Sequence, residues 1–364
     1  MSFPPVAPAT RRRPPYAVLA VGWEAVLLLV TVVTVGVIAV QVPLFRGGNI
    51  WYGIAALGLL ASAFALSLRT ATPNLAVIGQ ATLAGVVYAK LVADGGWAAI
   101  PAGLVAVLVL LVSGAFLGLV TGLTTAPGWA VSLGGLILTQ TIALAMVDGR
   151  SLPLPVDGPP GRGTTLLWAV LFIVVSIGGG LLWLLPKVRA LLATNRISGD
   201  PVPGWRLTRL LGAVVGFTGS SVLAALAGIV TANQLRVVNG GVDLSQLALV
   251  VGAVLLGGVS VFGRRGGVSG TVLAVVLLTA INFYLTLEGA PRWIAYGVVP
   301  ALAILGGIGI SRGLEALAAP EPDEPAPPFP GPTRPGYAPP PSQYAPTPTG
   351  FPSSQVAGGS GPNP

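Results

Sequence analysis

Residues 239–271 read NGGVDLSQLALVVGAVLLGGVSVFGRRGGVSGT, and their reading decides the fold. The stretch opens with a polar, glycine-rich turn and continues as an apolar run over 247–262, broken by Gly257-Gly258. It stops at Gly263-Arg264-Arg265-Gly266-Gly267 and resumes as a second apolar run. Two membrane helices joined by a short basic turn have this pattern, with glycines supplying the turns. Two arginines between apolar runs place that turn on the cytoplasmic face.

The composition agrees. Of 364 residues, 53% are hydrophobic and 8% charged, and the mean hydropathy is +0.84. Soluble domains carry about 25% charged residues, so an ordinary soluble domain is excluded. Repeated apolar stretches of membrane-spanning length predict an all-α polytopic membrane protein in the lipid bilayer. Fifty-one glycines suit close helix packing. A β-barrel would alternate polar and apolar residues with period two. The net charge of +8 sits in loops, where arginines encode orientation, so no nucleic-acid partner is expected. The chain has no cysteine and no histidine, which removes disulfides, thiol nucleophiles and His-based catalytic or metal sites. No metal, no cofactor and no catalytic residue is expected.

Ten apolar segments fall at about 18–40, 50–68, 75–92, 98–123, 130–147, 164–185, 207–232, 247–262, 267–285 and 292–311. The first follows Arg11-Arg12-Arg13 but is too long for a signal-peptide core of roughly 7–15 residues, and is read as a retained span. About ten spans put both termini on one side. With the N-terminus cytoplasmic, the inside bases ahead of the Pro-rich tail are Arg11, Arg12, Arg13, Arg69, Lys187, Arg189, Arg196, Arg206, Arg209, Arg264, Arg265 and Arg312, twelve of them. The outside bases are six: Arg46, Lys90, Arg150, Arg162, Arg236 and Arg292. The asymmetry follows the positive-inside rule and predicts a multi-pass protein with both termini cytoplasmic. The domain reading is a disordered lead over 1–15, a transmembrane domain over 16–312 and a Pro-rich disordered tail over 313–364.

A weak internal similarity accompanies this order. Asn74-Leu75-Ala76 opens the third segment as Asp243-Leu244-Ser245 opens the eighth. Two weakly similar halves with discontinuous helices are therefore expected. Gly114, Gly118 and Gly122, spaced by four, and Ala224 with Gly228, form small-residue faces for helix packing. Lys90 is expected to snorkel to the interface and pair with Asp94. No Asp or Glu falls near the centre of a span, which argues against proton- or cation-coupled transport. Uncharged polar residues within spans, Gln80, Thr139, Gln140, Thr141 and Asn282, fit either a path for a neutral, hydroxyl-rich solute or helix–helix hydrogen bonding. Of these, Gln80, Thr139, Gln140 and Asn282 are the candidate substrate-path residues. No phosphate-binding loop is present, so any ATP hydrolysis belongs to a separate chain.

The string Leu223-Ala224-Ala225-Leu226-Ala227-Gly228-Ile229, followed by 247–258, Ser260, Gly263, Gly266 and Gly270-Thr271, resembles the membrane permeases of ribose/xylose/galactose-type ABC importers. That wider group includes branched-chain amino-acid permeases. Asn195 with Ser198-Gly199 is similar to the family's ATPase-contacting loop. The chain departs from the pattern where the family carries GG-DLS-G before its third span. Here that place reads Thr72-Pro73-Asn74-Leu75-Ala76-Val77, and GGVDLS stands at 240–245. The resemblance implies a permease subunit of an ATP-driven ABC importer in the bacterial plasma membrane, carrying a simple sugar or similar small polar solute by alternating access. It implies ABC ATPase subunits, an extracytoplasmic solute-binding protein and a second permease subunit as partners, with Asn195, Ser198, Gly199, Arg264 and Arg265 in the ATPase-docking loops. Alternatives are a branched-chain amino-acid or nucleoside permease, an ATP-independent channel or facilitator, and a membrane scaffold.

Overall fold

The computed structural model describes residues 16–42, 49–155, 162–192, 207–260 and 268–318. They form α1 (Tyr16–Gln41), α2 (Asn49–Arg69), α3 (Val77–Ala93), α4 (Ala99–Thr124), α5 (Gly128–Val147) and strand β1 (Leu152–Pro153). There follow α6 (Arg162–Leu184), α7 (Pro186–Leu192), α8 (Leu207–Leu235), β2 (Val237–Val238), α9 (Leu244–Leu256), α10 (Gly270–Leu287) and α11 (Val299–Leu317). A single π turn, Ile294–Val298, leads into α11. Among the described residues, eight helices are long and apolar enough to cross a membrane; α3 and α9 are apolar but shorter. The chain is a multi-pass, all-α membrane protein.

Residue size, more than polarity, tells the two faces of each outer helix apart. On α4 the inward stripe is Ala102, Ala106, Leu110, Gly114 and Gly118, all buried. The outward stripe is Leu104, Leu108, Val112, Phe116 and Leu123, all exposed. Both stripes are apolar because one meets protein and the other meets lipid. α2 is enclosed by its neighbours, with Leu59, Ala61 and Ala63 fully buried. α4 and α2 pack on α8, α9 packs on α11, and α1 packs on α10.

β1 pairs antiparallel with β2, Leu152 opposite Val238, so the segments 148–155 and 236–243 meet at one end of the bundle. This is the hairpin end. Lys90 lies there too, bonded to Met146 O at 2.9 Å and paired with Asp94 at 3.3 Å, both side chains about half exposed.

The opening stretch departs from its sequence reading. The helix at the apolar run 247–262 is Leu244–Leu256, and the described residues 257–260 are not helical. The start is set by Asp243, whose carboxylate accepts from Ser245 N (2.8 Å) and Ser245 Oγ (2.6 Å), an N-cap that the apolar count overlooked. The end is set by Gly258 at φ +81°, a left-handed conformation that a side chain would strain. Thirteen residues span about 20 Å, short of a hydrocarbon core about 30 Å thick, so α9 alone does not cross. α10 begins at Gly270, with the Gly270 backbone pressed on Gly257 O. At the other end of the domain, α11 continues to Leu317, five residues past the expected boundary at 312.

α1 is the most lipid-exposed span, yet it is tied to this junction. Trp23 Nε1 donates to Leu256 O at 2.8 Å. The Glu24 carboxylate accepts from Ser269 Oγ (2.6 Å), Ser269 N (3.2 Å) and Gly270 N (3.3 Å). Glu24 thus caps α10 from another helix, where a carboxylate meets the positive end of the helix dipole. Glu24→Ala is expected to destabilise the protein by about 1–2 kcal/mol, measured by detergent or urea unfolding of the purified chain. Unchanged stability would mean that water caps α10 equally well.

Candidate functional site: a polar-lined cavity at the hairpin end

Two short helices meet the long ones around a cavity of about 450 Å³. α2 contributes Gly53, Ala56 and Leu57, α3 contributes Ala81, Thr82 and Gly85, and α8 contributes Gly228, Thr231 and Gln234. The roof is β2 with Asn239 and Gly241; Asp243, Ser245 and Gln246 stand at the start of α9. Thr279 and Asn282 of α10 and Tyr296 of the π turn close the remaining side. The volume is that of a small-molecule site.

The sequence builds this space through small residues. Gly228 Cα presses directly on the Ala81 carbonyl, so α3 and α8 meet backbone to backbone at the floor. A Cβ on Gly85 would lie 3.2 Å from Gly228 O, and one on Gly53 would lie 3.1 Å from the Thr279 methyl. The π turn has a cause in Pro300. Proline has no N–H to give the carbonyl four residues back, and Val299 N instead reaches Ile294 O, five back. That widened turn carries Tyr296 into the cavity wall.

Most polar lining groups are neutral. Thr82 Oγ1 donates to Ile78 O (3.0 Å) and Thr231 Oγ1 to Ala227 O (2.9 Å), which leaves each oxygen able to accept. Thr279 Oγ1 and Asn282 Oδ1 have no partner among the described residues. Asp243 is the one charged residue among the described lining residues, and its carboxylate is already engaged by Ser245. It also neutralises the positive end of α9. A site without a cation, holding one carboxylate, suits a neutral hydrogen-bonding solute and repels an anion.

Of the candidate path residues, Asn282 lines this cavity. Gln80 lies beneath it, fully buried, its Oε1 accepting from Asn74 Nδ2 at 3.2 Å. Thr139 is buried elsewhere, bonded to Gly135 O at 2.8 Å and packed against Gly79. Gln140 is half-buried on α5, away from the cavity lining. The small-residue faces lie at helix contacts. A Cβ on Gly114 would fall 2.7 Å from Phe217 O, on Gly118 2.6 Å from Val214 Cα, and on Gly122 2.9 Å from Leu210 Cα, all on α8. Ala224 is fully buried on α8, four residues before Gly228. Asn195, Ser198, Gly199, Arg264 and Arg265 lie outside the described residues.

Sequence reading missed Thr231, Gln234, Gln246, Thr279 and Tyr296. Gln234 and Tyr296 sit at span ends, where polar residues are routine. Pro300 alone signalled a local irregularity near Tyr296. No protein-family model, no curated protein and no solved structure matches the chain.

Proposed function

We propose that the chain is a permease subunit of an ATP-driven importer, carrying a simple sugar or similar small neutral solute across the bacterial plasma membrane by alternating access. The cavity carries this reading: it is floored by the α3–α8 contact, roofed by β2, and lined by uncharged donors and acceptors beside the one carboxylate of Asp243. The absence of Lys and Arg among its described lining residues disfavours a branched-chain amino acid, whose carboxylate needs a positive partner. The basic loop residues and the LAALAG-type resemblance support separate ATPase subunits as the energy source. An extracytoplasmic solute-binding protein and a second permease subunit complete the assembly.

The expected orientation places the hairpin end outside and both termini inside. Each of two five-helix halves then contributes one short helix. α3 packs on α4, α5 and α8, and α9 packs on α10, α11 and α2, a swapped arrangement that supports an inverted repeat. Both short helices begin with the same local device: Asn74 Oδ1 accepts from Ala76 N at 3.0 Å, as Asp243 Oδ1 accepts from Ser245 N at 2.8 Å.

One observation favours a second reading. The cavity is walled by helices of a single chain, as a facilitator working without ATP would require. Purification from native membranes in mild detergent separates the two. An importer subunit is expected to bring down a nucleotide-hydrolysing subunit and to take up labelled ribose, xylose or galactose only when ATP is supplied. A chain that purifies alone and equilibrates one of these sugars without ATP is a facilitator.

A further inference from the structure

Beneath the cavity a buried polar layer is set into the apolar core to which Leu60, Phe64, Ala224 and Val250 belong. The layer centres on Asn74, in the non-helical link between α2 and α3. Asn74 Nδ2 donates to Ser220 Oγ (2.7 Å) and to Gln80 Oε1 (3.2 Å). Asn74 N donates to Ser67 Oγ (3.0 Å), and Ser220 Oγ donates to Phe217 O (3.0 Å). Asn74, Gln80, Ser67 and Ser220 are all 0% exposed. Ser220 is eight residues before Gly228 on α8, about 12 Å along the helix, and Gln80 directly precedes Ala81 of the cavity floor.

Every group in this layer is used except one. Among the described residues, Gln80 Nε2 has no hydrogen-bond partner. The amide cannot be turned over to cure this, because its nitrogen would then face the Asn74 Nδ2 donor. Fully buried amide donors are almost always paired, and a core selected for stability alone would place methionine or leucine here. The open group is a donor, which specifies its missing partner as an oxygen acceptor. A neutral hydroxyl-bearing solute supplies one.

We propose that the Asn74–Gln80–Ser220 layer is the closed barrier between the cavity and the opposite face, and that Gln80 is a selecting residue within it. When the layer parts, the Gln80 amide donates to an oxygen of the passing solute. The inference rests on the permease reading for its solute. For its barrier it rests only on the buried network.

The chain contains no cysteine, so a single introduced thiol reports unambiguously. In the full-length protein, Ser220→Cys is expected to resist a charged methanethiosulfonate reagent added to either face. Adding Gln80→Ala is expected to raise its labelling rate about tenfold, because the layer no longer closes. Equal resistance in both backgrounds would overturn the barrier. Gln80→Met is expected to leave the thermal midpoint unchanged or raised and binding of labelled ribose, xylose or galactose unchanged, while uptake of that sugar falls about tenfold. A midpoint that falls in step with uptake would make Gln80 structural and overturn its selecting role. If the wild-type chain carries none of the three sugars, the proposed function fails, and the thiol measurement still decides the barrier.

Discussion

Gly228→Leu is expected to abolish the folded bundle, or to destabilise it by more than about 3 kcal/mol. The blocked point is the first atom of the new side chain. The Ala81 carbonyl occupies the place of its Cβ, and the next atoms, Ala81 C at 2.8 Å and Cα at 3.0 Å, are backbone as well. Relief requires α3 and α8 to separate, which opens the floor of the cavity and pulls on the Asn74–Ser220 bond below it. Gly134→Leu is the control. Gly134 is exposed on α5 with nothing within 4 Å of its Cβ position, so a leucine there meets lipid. The measurement is the thermal midpoint of the purified proteins by size-exclusion chromatography after heating. A Gly228→Leu protein as stable as the Gly134→Leu control would contradict the backbone contact between α3 and α8.

The second large effect falls on the solute. Asn282→Leu is expected to leave the thermal midpoint unchanged, because Oδ1 has no partner whose loss would cost stability. Binding of the sugar proposed as solute is expected to weaken about tenfold, the loss of one well-formed neutral hydrogen bond. Thr279→Val tests the adjacent unpartnered hydroxyl in the same way, and its cost is expected to add incompletely because both groups face one solute. Equilibrium binding of labelled ribose, xylose or galactose checks both. Unchanged affinity in the two variants would move the solute site elsewhere.

The fold was legible because lipid imposes one strong rule, that a span be long and apolar. The order of apolar segments and the separation of long helices from weaker ones follow from that rule. What it left out follows from groups it cannot weigh. Asp243 and Gly258 fixed the ends of α9 through hydrogen bonding and backbone conformation, neither of which registers in an apolar count. Glu24 reads as a charge near the end of a span, yet its partners, Ser269 and Gly270, lie 245 and 246 residues away. The cavity was legible only through Asn282, a polar residue inside an apolar run. Thr231, Thr279 and Tyr296 carry no such signal, since threonines back-bond within helices and tyrosines sit at membrane interfaces everywhere. Gln80 and Thr139 look alike in sequence. The structure separates them by whether the side chain finishes its hydrogen bonds: Thr139 does so on its own helix, and Gln80 does not.

The most direct test of the central claim, that this cavity receives a neutral solute from one face of the membrane, is thiol labelling at Thr231→Cys in oriented vesicles. Thr231 is half-buried in the cavity wall. Labelling by a charged methanethiosulfonate is expected from the hairpin face alone, slowed by ribose, xylose or galactose and unaffected by glutamate. Labelling from the opposite face, or labelling that none of the three sugars slows, would contradict it.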